Sequence, residues 1–136
     1  MTLSRLVLVC ALIPASSALA DDMLFFRSPT GNIACMLATG EFAGARCDLL
    51  ELTKTFRKPP ADCELEWGSS FCVDAQGKGY VGCVGDAVVS PDAFTLDYGK
   101  SITLGAFTCT SETTGMTCTN GQGHGFSVAK AKQRVF

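Results

Sequence analysis

The sequence predicts an all-β fold, a small antiparallel barrel or sandwich stapled by disulfides. Three observations predict it. Short runs rich in β-branched and aromatic residues are separated by clusters of Gly, Pro, Asn and Asp, which is the punctuation of an all-β chain. Several runs alternate with period two, as Ile33, Cys35 and Leu37 do. Cysteines are dense: of the eight in 136 residues, seven follow residue 20.

The first twenty residues read as an address and not as fold. Arg5 supplies a positive start, residues 6–19 an apolar core broken by Pro14, and Ala18-Leu19-Ala20 an A-x-A cleavage site. The expectation is a signal peptide over 1–20, cleavage near Ala20, export to the periplasm or the extracellular space, and one domain over 21–136. The apolar run is too short for a transmembrane segment. A lipid anchor on Cys10 is disfavoured because Val9 stands where a small residue is needed. Removing Arg5 takes the net charge from −2 to about −3. That disfavours nucleic acid, whose binding rests on a basic surface.

The elements follow in order. Residues 23–28 read as a strand, Ser28-Pro29-Thr30-Gly31 as a turn and Asn32–Leu37 as its return strand. Ala45–Leu49 is next. Residues 48–57 are ambiguous: Asp48 and Glu51 resemble a capping box, and Leu49, Leu52 and Phe56 have helical spacing, until Pro59-Pro60 stops whatever forms. Residues 62–67 alternate, placing Cys63, Leu65 and Trp67 on one face and Asp62, Glu64 and Glu66 on the other. Phe71–Val73 and Gly79–Val84 suit a hairpin across Asp74–Lys78. The parity of 101–109 switches at Gly105, which predicts a β-bulge. Gly115–Asn120 and Gly125–Lys130 finish the sheet. Ser28-x-x-Gly31 before Cys35 resembles Ser111-x-x-x-Gly115 before Cys118, as one turn solution used twice.

Cys109 and Cys118 flank a turn and suit a cross-strand bridge, and Cys35 with Cys47 could do the same. Cys63 and Cys83 would then tie the middle, leaving Cys72 unpaired as a small buried hydrophobe, the alternatives being the link of a dimer or a reactive thiol. Cys63–Cys72 and Cys72–Cys83 are competing pairings that spacing does not exclude. Zinc is disfavoured, since there is no C-x-x-C pair and a single histidine. No metal and no organic cofactor is implied.

Four stretches resemble a small exported bacterial family of unknown function: FRSPTGNIAC (26–35), DCELEWG (62–68), YGKSITLGAFTC (98–109) and GMTCTNGQGHGFSVAKAKQRVF (115–136). Thr30 departs from the serine the pattern favours. The resemblance covers nearly all of 21–136, implies no established activity, and leaves Cys72 outside its motifs.

Catalytic chemistry is thinly represented. His124 is the sole imidazole base, and Ser111 and Ser127 could be nucleophiles, but no G-x-S-x-G elbow is present. The GKGYVGCV run (77–84) spells a nucleotide loop without the lysine and aspartate motifs that would accompany one. Asp62, Glu64 and Glu66 form an acidic stripe, read as a solvated face over paired catalytic carboxylates or a cation site. Lys130, Lys132 and Arg134 form a basic one that would blunt the edge of a last strand, the alternative being contact with an anionic envelope polymer or lipid headgroup. The two stripes could pair as neighbours. The ligand-binding candidates are Asn120, His124, Trp67 and Tyr98, with no catalytic assignment. The function expected is non-catalytic binding of a protein or envelope component. The alternatives are an inhibitor of a secreted hydrolase presenting 110–117 or 119–125, and a small hydrolase using His124.

Overall fold

The computed structural model describes residues 22–136; the expected leader 1–20, with Cys10, lies outside them. The strands are β1 (Met23–Arg27), β2 (Ile33–Ala38), β3 (Gly44–Leu49), β4 (Glu66–Val73), β5 (Tyr80–Val84), β6 (Phe94–Thr95), β7 (Ser101–Leu104), β8 (Phe107–Glu112), β9 (Gly115–Thr119), β10 (Gly125–Val128) and β11 (Gln133–Val135). They form two sheets, ordered β5-β4-β3-β2-β1-β6 and β11-β10-β9-β8-β7. All pairings are antiparallel except β1 with β6. The sheets lie face to face and do not close, so the sandwich holds and the barrel alternative does not.

Alternation sets the inner faces. Ile33, Cys35 and Leu37 of β2, Ala45, Cys47 and Leu49 of β3, and Phe71 and Val73 of β4 meet Phe107, Cys109, Met116, Cys118, Phe126 and Val128 of the second sheet. Phe71 and Phe126 approach across the core, with ring centroids 6.4 Å apart.

Two disulfides lie within this core. Cys35–Cys47 joins directly opposed residues of β2 and β3, and Cys109–Cys118 joins directly opposed residues of β8 and β9. Each is therefore a rung on the inner face of its own sheet. The rungs touch: Cys47 Sγ and Cys118 Sγ are 3.7 Å apart, a van der Waals contact between the sheets. The third, Cys63–Cys83, ties the loop before β4 to the edge strand β5.

Several expectations are corrected. Residues 48–57 form no helix: Leu49 ends β3, and the following chain runs irregularly to the other sheet, where Thr53 N–H donates to Lys130 O at 2.8 Å. The fully buried Gln133 fastens it there, accepting from Thr55 N–H at 2.9 Å and donating to Thr53 O at 3.1 Å. Residues 62–65 are not strand; β4 starts at Glu66, and Leu65 is 59% exposed. Gly105 is not a bulge but the first residue of a two-residue turn between β7 and β8, with Leu104 opposite Phe107. Its φ of +57, with no positive φ at Ala106, suits a type II′ hairpin. The basic stripe is not on one strand, because Ala129 and Lys132 close a turn and leave only Arg134 in β11. Nor do the two stripes pair: Glu66 meets Lys54 at 2.6 Å and Lys130 meets Glu51 at 3.4 Å.

The connection from β5 to β6 crosses the outer face of the first sheet. The buried Asp48 carboxylate anchors it, accepting from Val88 N–H at 2.7 Å. Asp48 also takes a two-point contact from Arg46 at 2.9 and 2.8 Å and a bond from Ser70 Oγ.

Candidate functional site

The four candidate residues do not converge. Asn120 and His124 sit at one end of the sandwich, where the β9–β10 loop lies on the Asp74–Lys78 turn. Asn120 is 5% exposed and all its hydrogen-bonding capacity is used internally. Its Nδ2 donates to Asp74 O and Gly77 O, both at 2.9 Å. Its Oδ1 accepts from Gln122 N–H at 2.9 Å and His124 N–H at 3.1 Å. Gln122 adds a bond from Gly77 N–H at 2.9 Å. One amide thus pins a turn of the first sheet to a loop of the second.

Backbones approach closely here. A Cβ on Gly79 would lie 1.9 Å from Gly125 O, and one on Gly125 would lie 1.8 Å from Cys118 O. Gly79 of GKGYVGCV therefore answers to packing and Gly77 to its φ of +87, and the nucleotide-loop spelling opens a β-strand, not a helix.

His124 is held through its backbone, since its carbonyl also accepts from Asn120 N–H at 2.8 Å. Its half-buried imidazole bonds no described group. Neither serine is in reach. Ser127 lies three residues along β10, about 10 Å at strand rise, and bonds Thr117 Oγ1 at 2.9 Å. Ser111 is farther, opposite Met116 on β9. No Ser–His–Asp constellation forms among the described residues. In the loop 119–125, one place considered for an inhibitory segment, Asn120 and Gln122 spend their side chains on their own sandwich.

Trp67 begins β4 at the other end of the domain. It is half-buried, its carbonyl accepts from Lys54 Nζ at 2.7 Å, and its indole N–H is buried without a partner. It lines no cleft with Tyr98.

Tyr98 does line one. At the end away from Asn120, the turns after β1, β8 and β10 surround a cleft of about 360 Å³. The β1–β2 turn contributes Thr30 and Ile33, the β8–β9 turn Glu112, Thr113 and Thr114, and the β10–β11 turn Lys130. The two similar turns noted in the sequence thus face one space. The 28–32 turn is rigid: Gly31 N–H donates to Ser28 O at 2.9 Å with φ +76, and Ile33 N–H donates to Ser28 Oγ at 3.1 Å. Asn32 locks the turn to the chain after β3 by exchanging two bonds with the Glu51 backbone, at 2.9 and 2.8 Å. Tyr98 remains 43% exposed in this fixed frame.

A family model matches residues 4–136. The chain belongs to a family of unknown function, DUF6636. No curated protein and no solved structure matches it. For this DUF6636 chain the fold and the three disulfides therefore carry the description: a disulfide-stabilised β-sandwich, consistent with an exported location. No helix among the described residues is long and apolar enough to cross a membrane. No cluster of three or more His, Cys, Asp or Glu among them could hold a metal ion.

Cys72 is the free cysteine of the described residues. It lies on the outer face of the first sheet, between Arg46 and Tyr80 in register. Burial pushes its thiol up to about 11, against the opposing pull of Arg46. At pH 8 its thiolate fraction is then about a hundredfold below that of an ordinary thiol, an effect partly offset by the greater nucleophilicity of a more basic thiolate, so reaction with a disulfide reagent should be about tenfold or more slower than in the urea-unfolded chain. An equal rate in both states would contradict this placement. The sign for stability follows. The folded value is raised from 9.0, so the contribution is present below pH 9 and is lost as pH rises through about 11.

Proposed function

We propose that this chain is an exported, non-catalytic binding module, released by cleavage near Ala20, whose ligand is a protein or cell-envelope component seated in the Tyr98 cleft. The observation that carries the reading is the cleft itself. It is concave, within the size range of small-ligand sites, framed by turns that are already hydrogen-bonded, and lined in part by the exposed Tyr98. A preformed frame spares the ligand the entropy of ordering loops. Of the four candidate residues, Tyr98 is the one that lines this cleft.

The test is affinity capture from envelope extract on the oxidised protein, with bound molecules identified by mass spectrometry. The controls are the Tyr98→Ala variant and reduced, unfolded protein. The expected result is a molecule retained by the folded protein and lost, at least tenfold, on Tyr98→Ala. Retention indifferent to Tyr98, or none at all, would overturn the reading.

A further inference from the structure

The Tyr98 cleft has a neighbour. A second hollow of about 250 Å³ is lined by Thr114, Ser127, Val128, Ala129, Lys132 and Arg134. Thr114 and Ala129 stand in the walls of both, so the two lie side by side, a two-part trough past the β8–β9 and β10–β11 turns.

Its chemistry changes along its length. The first part offers the Tyr98 ring, the hydroxyls of Thr113 and Thr114, and the Glu112 carboxylate. No cation of the described residues pairs with Glu112 within 4.0 Å. The second part offers Lys132 and Arg134, which have no carboxylate partner among the described residues. Arg134 is oriented by stacking on Phe136, its guanidinium carbon 4.5 Å from the ring centroid.

We infer that this trough is a site for an acidic oligosaccharide, with a sugar ring against Tyr98 and a carboxylate of the next residue between Lys132 and Arg134. The inference rests on the reading of the Tyr98 cleft as the binding site and names its ligand class. A pyranose ring has an apolar face and a rim of hydroxyls. It matches an exposed phenol ring flanked by threonines and by a carboxylate that accepts hydroxyl protons. The two free cations then select an anionic substituent at one place.

Other ligand classes fit less well. An extended peptide needs unpaired backbone groups on the wall, but Gly31 and Ser28, and Ala129 and Lys132, already bond to each other. A nucleic acid presents repeated phosphates, and Glu51 and Glu112 stand in their path. A lipid chain needs a broad apolar wall, and Ile33, Val128 and Ala129 are what the trough provides.

The test is calorimetric titration of the oxidised protein with two acidic trimers, each carrying one uronic acid, galacturonic or glucuronic, beside two neutral hexoses, with maltotriose as neutral control and tripolyphosphate as charge control. An acidic trimer should bind at least tenfold more tightly than maltotriose. Tyr98→Ala should weaken both sugars tenfold or more, while Tyr98→Phe, which keeps the ring, should bind nearly as wild type. Lys132→Ala with Arg134→Ala should bring the acidic trimer down to maltotriose and leave maltotriose unchanged. Thermal melting confirms that each variant is folded. No sugar binding at millimolar concentration, or tripolyphosphate binding as tightly as the acidic trimers, would overturn the inference. If Tyr98-dependent capture retains a protein while both acidic trimers fail, the saccharide class falls and the binding module stands. If capture is also indifferent to Tyr98, both fall.

Discussion

Replacing Asn120 by alanine is expected to lower the unfolding free energy by about 3 kcal/mol, measured as the shift in urea midpoint at constant slope. The side chain makes four hydrogen bonds, to Asp74 O, Gly77 O, Gln122 N–H and His124 N–H. Its loss strands two carbonyls of one sheet's turn and two amides of the other sheet's loop. Some recover water, because Gly77 and Gln122 are exposed, which keeps the cost near one net hydrogen bond each and not the full desolvation penalty. Asn120→Asp is the sharper variant. It keeps the acceptor for Gln122 and His124 but turns a carboxylate toward two carbonyl oxygens, so it should destabilise at least as much as alanine. Both variants, assayed where they remain folded, should retain the Tyr98-dependent ligand, because Asn120 lies at the opposite end of the sandwich. Wild-type stability of Asn120→Ala would show that the amide is not the clamp. Loss of ligand by a folded variant would return Asn120 to the binding site.

Asn120 also marks where sequence reading reached its limit. Hairpins whose partners are close in sequence were legible: Ser28-Pro29-Thr30-Gly31 declares its turn, and alternation in β2 fixes which face carries Cys35. Their places on either side of a turn made Cys109–Cys118, and in the same way Cys35–Cys47, plausible, though spacing left the pairings of Cys63, Cys72 and Cys83 open. The misreadings share one cause, tertiary contacts outweighing a local pattern. Asp48 looks like a helix cap, yet Arg46, Ser70 and Val88 claim its carboxylate. The alternation of 62–65 looks like a strand, but a disulfide, not a ladder, holds that segment. The partners of Asn120 lie 43 and 46 residues away, so an asparagine before a glycine-rich stretch reads equally as a ligand group or as a turn. Likewise the cleft is assembled from turns distant in sequence. Tyr98 could be singled out as an aromatic, but its cleft neighbours Glu51, Glu112 and Lys130 could not be joined to it.

The two core disulfides should behave as one coupled unit. Each closes a short loop, with sequence separations of 12 and 9, so the chain-entropy model gives about 3 kcal/mol for either alone. Paired alanine substitution at Cys35 and Cys47, or at Cys109 and Cys118, should each cost about that, plus the packing of two buried sulfurs. The costs should not add. Cys47 and Cys118 touch across the sheets, so the first removal already forfeits the sulfur contact, and the second enlarges a space that exists. The quadruple variant should therefore lose less than the sum of the two, by roughly 0.5–3 kcal/mol. Its total loss approaches the stability of an ordinary domain, so all variants are best compared in a stabilising osmolyte. Cys63–Cys83 is the internal control. Its sulfurs lie outside the core cluster, so its removal should add to that of either core bridge within about 0.5 kcal/mol. Strict additivity among all three bridges would mean that each acts only by shortening the unfolded chain. Sub-additivity confined to the core pair would mean that the sulfur contact between the sheets is part of what holds the sandwich closed, and with it the turns that frame the Tyr98 trough.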